Sequence, residues 1–190
     1  MNLHIIGKFK DTLRWTSLNG FQKTEQRDWQ FNQIQDSALN LITGTIIGIQ
    51  DSSMAAFANY DGIRFMALGS GNASWDADPN NVAKPVTQTT LQTEFERIAV
   101  TPDQVQFLTT SGVVLDPTIH GLSSRIKLTR VLASNEGNGD LREFGLFGGN
   151  ATSASDSGTM FNWITHPLIQ KDASLVIERI VDIQFSINRS

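Results

Sequence analysis

The strongest periodic signal in the chain lies near its end. Leu175, Ile177, Val181, Ile183, Phe185 and Ile187 share one parity, and only Arg179 breaks the apolar row. The opposite parity carries Val176, Glu178, Ile180, Asp182, Gln184 and Ser186, a mixture suited to a partly solvated face. Period-two alternation rich in β-branched residues predicts a long antiparallel strand buried on one side. Upstream, 141–147 reads as a second strand stopped by Gly148 and Gly149, and 150–158 is a loop of small and polar residues with nothing to bury. A third strand follows and is expected to break at His166 and Pro167, which makes 141–187 a β-meander.

Residues 124–133 also alternate. Ile126 and Leu128 face one way, Arg125, Lys127 and Thr129 the other, and the parity slips at Arg130 and Val131 as at a bulge. The loop 135–140, NEGNGD, is dense in residues that tolerate positive φ and is expected to act as a hairpin onto 141–147. Residues 62–71 predict a short strand ending in a glycine turn. Only around 31–49 does the period change. Ile34, Ala38, Leu41, Ile42 and Thr45 fall on one helical face with Asp36 near its start, which predicts a helix over 33–47. Residues 90–100 fit either a helical turn or the start of a strand; Glu94 and Arg97 pair if they are helical.

The first 32 residues have no sustained period. Trp15, Phe21, Trp29 and Phe31 stand at irregular intervals among polar residues, an awkward set for a domain to house in its own core. They are therefore candidate partner-docking residues on an N-terminal arm, residues 1–32, ahead of a β-rich domain, residues 33–190. An arm laid across its own domain is the alternative. The expected fold is mainly β: an antiparallel β-sandwich or meander of about six to eight strands, with one amphipathic helix and the arm.

Composition narrows the function. A net charge of −4 leaves no footprint for nucleic acid or an anionic membrane. The absence of cysteine excludes thiol nucleophiles, disulfides and cysteine-ligated metals. No apolar run approaches the roughly 20 residues that span a bilayer. Lys8 and Lys10 follow the first apolar run instead of preceding it, the reverse of a secretory leader. Charged residues make up only 18%, while Gly, Asn, Ser and Thr abound, as in a turn-rich protein with much contact surface.

Candidate chemistry is sparse. His4, His120 and His166 fall in separate segments, without the close spacing of a metal motif. Gly69-Ser70-Gly71 lacks the Lys-Ser/Thr and the helix of a phosphate loop. Asp76, Asp78 and Asn80 alternate as in a calcium loop, without its glycine or closing glutamate. Glu94, Glu96, Glu143, Glu178 and Asp182 are scattered; a paired-carboxylate glycan hydrolase is the third-ranked reading. No catalytic, cofactor or metal residue is assigned, and a non-enzymatic role is expected. In a carbohydrate-binding reading, Trp75 and Trp163 are the candidate glycan contacts, placed on exposed loops.

An ordered set of short patterns resembles tailed-bacteriophage virion proteins of tail-fibre and baseplate type, over about residues 38–185. A helix carrying Asn40 leads to Met66-Ala67-Leu68-Gly69-Ser70-Gly71; Leu91, Glu94 and Arg97 follow a polar loop. Glu143-Phe144-Gly145-Leu146-Phe147, then Met160-Phe161, and Lys171 before the last strand complete the set. The resemblance implies a non-enzymatic, β-rich virion subunit, most simply a tail baseplate or fibre-attachment adaptor in a symmetric oligomer. Its partners would be other virion proteins and copies of itself, with neither nucleic acid nor membrane, and its location the virion. A carbohydrate-binding module recognising a host surface glycan is the first alternative. A neck, collar or head-decoration protein is the second.

Overall fold

The computed structural model of the chain describes residues 2–17, 20, 22–38, 61–116 and 123–188. It is mainly β. The strands are β1 (Asn2–Thr16), β2 (Gln22–Gln26), β3 (Gln30–Phe31), β4 (Gln33–Ile34), β5 (Asp61–Gly69) and β6 (Glu94–Ala99). They continue with β7 (Val105–Leu108), β8 (Val114–Leu115), β9 (Arg125–Leu132), β10 (Gly139–Gly149), β11 (Thr159–Lys171) and β12 (Leu175–Asn188). Short 3-10 turns occupy Ala73–Ala77, Pro79–Asn81 and Pro102–Gln104. The strand pairings are antiparallel. Among the described residues no helix is long and apolar enough to cross a membrane.

The chain divides into two compact units, crossing between them after Asn32, Val100, Asn135 and Asp172. The first unit holds a seven-stranded sheet in the order β2-β1-β12-β9-β7-β8, with β3 also paired to β1. The periodic segment at the end of the chain is β12, as predicted, and Leu175, Ile177, Arg179, Val181 and Ile183 are all buried. Because β12 is flanked on both sides, its inward residues sit in three-strand rows. Leu13, Ile177 and Leu132 form one row, and Phe9, Val181 and Leu128 another. Each such side chain taken from water stabilises the sheet by roughly 1.5–3 kcal/mol.

Residues 2–16, expected in an arm, form β1, which pairs with β12 from Asn2↔Asn188 to Trp15↔Leu175 and with β2 on its other side. The segment is integral to the chain's own sheet. Its inward parity is carried by Gly7, Phe9, Asp11 and Leu13, and a glycine and an aspartate in that row hide its strand period. The bulge expected at Arg130 and Val131 is absent: the β9–β12 register runs unbroken from Ile177↔Leu132 to Gln184↔Arg125. Val131 is an apolar residue on the outward face, 40% exposed, and the parity never slips.

The second unit holds a five-stranded sheet in the order β4-β11-β10-β5-β6. Its middle strand, β10, is buried at every position from 141 to 149, so both parities are apolar or internally bonded. Loop 150–158 joins β10 to β11 as predicted. The rest of the expected meander is corrected. β9 and β12 lie in one sheet and β10 and β11 in the other, so 135–140 is a crossing and closes no hairpin. That loop is tied down instead, with Gly137 N–H donating to Glu96 Oε2 (2.8 Å) and Lys171 Nζ donating to Asn138 Oδ1 (3.0 Å). β11 runs straight through Pro167 without breaking. The register jumps there from Glu143↔Thr165 to Leu141↔Ile169, a bulge that places a residue lacking an N–H where the ladder is already open. Of the helix predicted over 33–47, the first two residues form β4 instead; positions 39–47 lie outside the described residues.

Candidate functional site

Two adjacent residues of β10 organise the most enclosed part of the second unit. Glu143 is fully buried, which a carboxylate tolerates only when its oxygens are bonded. Its Oε2 accepts from Trp163 Nε1 (2.7 Å) and Gln92 N (3.1 Å), and its Oε1 accepts from Thr93 N (2.8 Å). Gly69, its cross-strand partner on β5, makes room: a Cβ there would lie 2.6 Å from Glu143 Cγ and Oε1. Arg142, the residue before it, is buried too. Its Nε and Nη2 donate to the two carboxylate oxygens of Asp76 at 2.8 and 2.9 Å, and Asp140 Oδ2 lies 3.2 Å from Nη2. The Arg142 bonds hold the Asp76 carboxyl below the ordinary aspartate range, and Asp76 in turn raises the guanidinium.

Asp76 sits in the turn Ala73–Ala77, capped where Asn72 Oδ1 accepts from Ser74 N (2.9 Å). The same turn carries Trp75, whose ring meets Trp163 edge-on with centroids 6.1 Å apart. Behind the ring lies Gly71, at φ 53°, where any side chain would overlap the indole. The next turn, Pro79–Asn81, is pinned by Thr165 Oγ1 donating to Pro79 O (3.0 Å). Between these walls opens a cleft of about 380 Å³, lined by Trp75, Val82 and Trp163 and by the polar Asp78, Asn81 and Gln92.

The structure thus brings Trp75 and Trp163 to one cleft, though not as expected. Trp163 is on β11, only 3% exposed, and its N–H is committed to Glu143. Trp75 is the more accessible member of the pair, half-buried. Arg142, Asn81 and Gln92 carried no signal in the sequence, since nothing local marks a pair 66 positions apart such as Arg142 and Asp76. The alternating Asp76 and Asp78 were the one visible signal. Asp76 faces an arginine, and among the described residues no group of three or more His, Asp or Glu side chains is placed to hold a metal.

The other candidates are dispersed. Trp15 is half-buried under Lys23 Nζ, 4.8 Å from its ring. Trp29 is 41% exposed, with Lys8 and Lys10 ammonium groups 4.6 and 5.0 Å from its ring centre, and Phe31 is 79% exposed. Phe21 and His120 lie outside the described residues. His166 is buried, and its Nδ1 lies 2.9 Å from Pro167 O; a carbonyl only accepts, so the proton sits on Nδ1. Glu94 and Arg97 do pair, at 2.5 and 3.0 Å, but within strand β6. Glu94 faces Gly69 and Glu96 faces Leu68, so Phe95 is an extra residue. That bulge turns Glu94 and Arg97 to one face, as a helical turn would have done.

No protein-family model matches the chain, and no characterised protein is significantly similar to it in sequence. Most of the short patterns of the sequence nevertheless meet in the second unit. Gly69 abuts Glu143, Leu91 abuts Gly145, and the Arg97 guanidinium lies over the Phe147 ring at 4.2 Å. Arg97 also donates to Ser157 O (2.6 Å), fastening the loop after β10. These residues are core and hydrogen-bonding positions.

Proposed function

We propose that this protein is a non-enzymatic structural subunit of a tailed-bacteriophage virion, an antiparallel β-sandwich with one amphipathic helix that works in a symmetric oligomer at the tail baseplate or fibre attachment. The observation that carries the assembly role is the pair Trp29 and Phe31. An isolated domain rarely leaves a phenylalanine 79% exposed beside a second large aromatic, and such residues are the usual anchors of protein interfaces. Phe31 lies across from Lys8 on β1, and Lys8 and Lys10 flank Trp29, so the patch is apolar with a basic rim. A partner surface with an apolar pocket and acidic edges complements it. The phage setting rests on the ordered set of short patterns, most of which meet in the second unit.

Light scattering tests the assembly role. The full chain is expected to be an oligomer, and Trp29→Ser with Phe31→Ser is expected to give a folded monomer with unchanged circular dichroism. A native chain that is monomeric on its own, or an oligomer indifferent to both substitutions, counts against the reading.

A further inference from the structure

We propose that the cleft beside Trp75 binds a neutral saccharide of one or two pyranose rings. This site stands in the second unit and does not depend on the assembly role. Its volume of about 380 Å³ is at the small end of ligand sites, which run from roughly 300 to 1,000 Å³. That is too little for a peptide or nucleotide chain and enough for one or two sugar rings.

The lining makes two chemical demands at once. One side is apolar, formed by the half-buried Trp75 ring and the half-buried Val82. The other presents Asp78, Asn81 and Gln92, exposed side chains that make no hydrogen bond to other described residues. A pyranose satisfies both demands. Its C–H face lies against the indole, while its hydroxyls donate to the Asp78 carboxylate and exchange hydrogen bonds with the two amides. Among the described residues no lysine or arginine lines the cleft, and Asp78 makes it negative, so phosphate, sulfate and carboxylate ligands are disfavoured.

The walls are held in place before any ligand arrives. Arg142 fixes the turn carrying Trp75 through Asp76, Thr165 fixes the next turn through Pro79, and Glu143 fixes both Trp163 and the backbone at Gln92. Such bracing keeps the ordering penalty of binding small.

The test uses the full chain and a panel of neutral disaccharides: maltose, cellobiose, lactose and diacetylchitobiose. Binding is read from the indole N–H signals in a proton–nitrogen correlation spectrum. At least one sugar is expected to shift the Trp75 signal saturably. Asn81→Ala and Gln92→Ala, both on the exposed rim, should weaken that binding roughly three- to tenfold. Trp75→Ala should weaken it at least about tenfold. The Trp163 indole, bonded to Glu143, reports that each variant is folded. The proposal is overturned if no sugar in the panel binds, or if binding is unchanged in folded Trp75→Ala and rim variants. Saturable binding of an acidic sugar alone, such as N-acetylneuraminic acid, overturns it as well.

Discussion

Arg179 of β12 stands directly across from Asp11 of β1, its Nε and Nη2 donating to the two carboxylate oxygens at 2.7 and 2.6 Å with both side chains buried. The residue that breaks the apolar row of the last strand is thus answered by the acid that breaks the row of the first. A buried pair is costly to leave half-made. Asp11→Asn or Arg179→Met alone should lower stability by about 3–5 kcal/mol in urea unfolding, and Asp11→Leu with Arg179→Met together by much less. Single variants no worse than the double would show that the two residues do not act as a pair.

Glu143→Gln keeps the size of the side chain but offers an NH2 to donors that the carboxylate accepted. One of its three hydrogen bonds at least must be lost. A cost of about 1–3 kcal/mol is expected, with a changed tryptophan emission where the lost bond is that of Trp163. Gly69→Ala pushes on the same carboxylate, so its cost should be clearly less in a Glu143→Ala background than in the native one. Additive costs would separate the two positions.

Acid should release the turn that carries Trp75. The folded Asp76 pKa is depressed, first of all by the Arg142 bonds. The contribution of the pair is therefore complete above the unfolded value of about 3.9 and disappears as pH falls through the lower folded value. Near-ultraviolet circular dichroism of the tryptophans should hold steady down to that range and then change. In Asp76→Asn, which cannot ionise, that acid step should be missing. An identical step in both proteins would assign it to another carboxylate.

Removal of residues 1–31 deletes β1, β2 and β3 from the first sheet and leaves Arg179 buried without Asp11. The shortened chain should fail to fold cooperatively, as read by far-ultraviolet circular dichroism and thermal unfolding. A folded, stable remnant would mean that β1 is dispensable after all. Point substitution at Trp29 and Phe31 is therefore the sound way to probe the exposed aromatics.

Local pattern decided what the segments are. Alternation in 175–187 specified β12 and its buried face, since side chains on a strand simply take opposite sides in turn. The small and polar residues of 150–158 specified the loop between β10 and β11, although the strand runs on through Gly148 and Gly149, where it was expected to stop. In 124–133 the inward parity was readable, and only the apolar, outward Val131 invited a false bulge. β1 was obscure because Gly7 and Asp11 occupy inward positions, and both make sense only against what faces them: Gly7 lies against Asn32, Asp11 against Arg179.

Which strands pair was decided by the tertiary structure alone. β9 is followed at once by β10, and β11 by β12, yet each neighbour in sequence enters the other sheet. Loop composition did not report this, because glycine and asparagine serve a crossing as well as a hairpin. The cleft belongs to the same class of information. Trp75 and Trp163 were visible as aromatics, but their joining depends on Arg142 and Glu143 reaching Asp76, Gln92 and Thr93 across 50 or more positions. A hydrogen bond between distant residues leaves no period in the chain; it exists only once the sheet has brought its ends together.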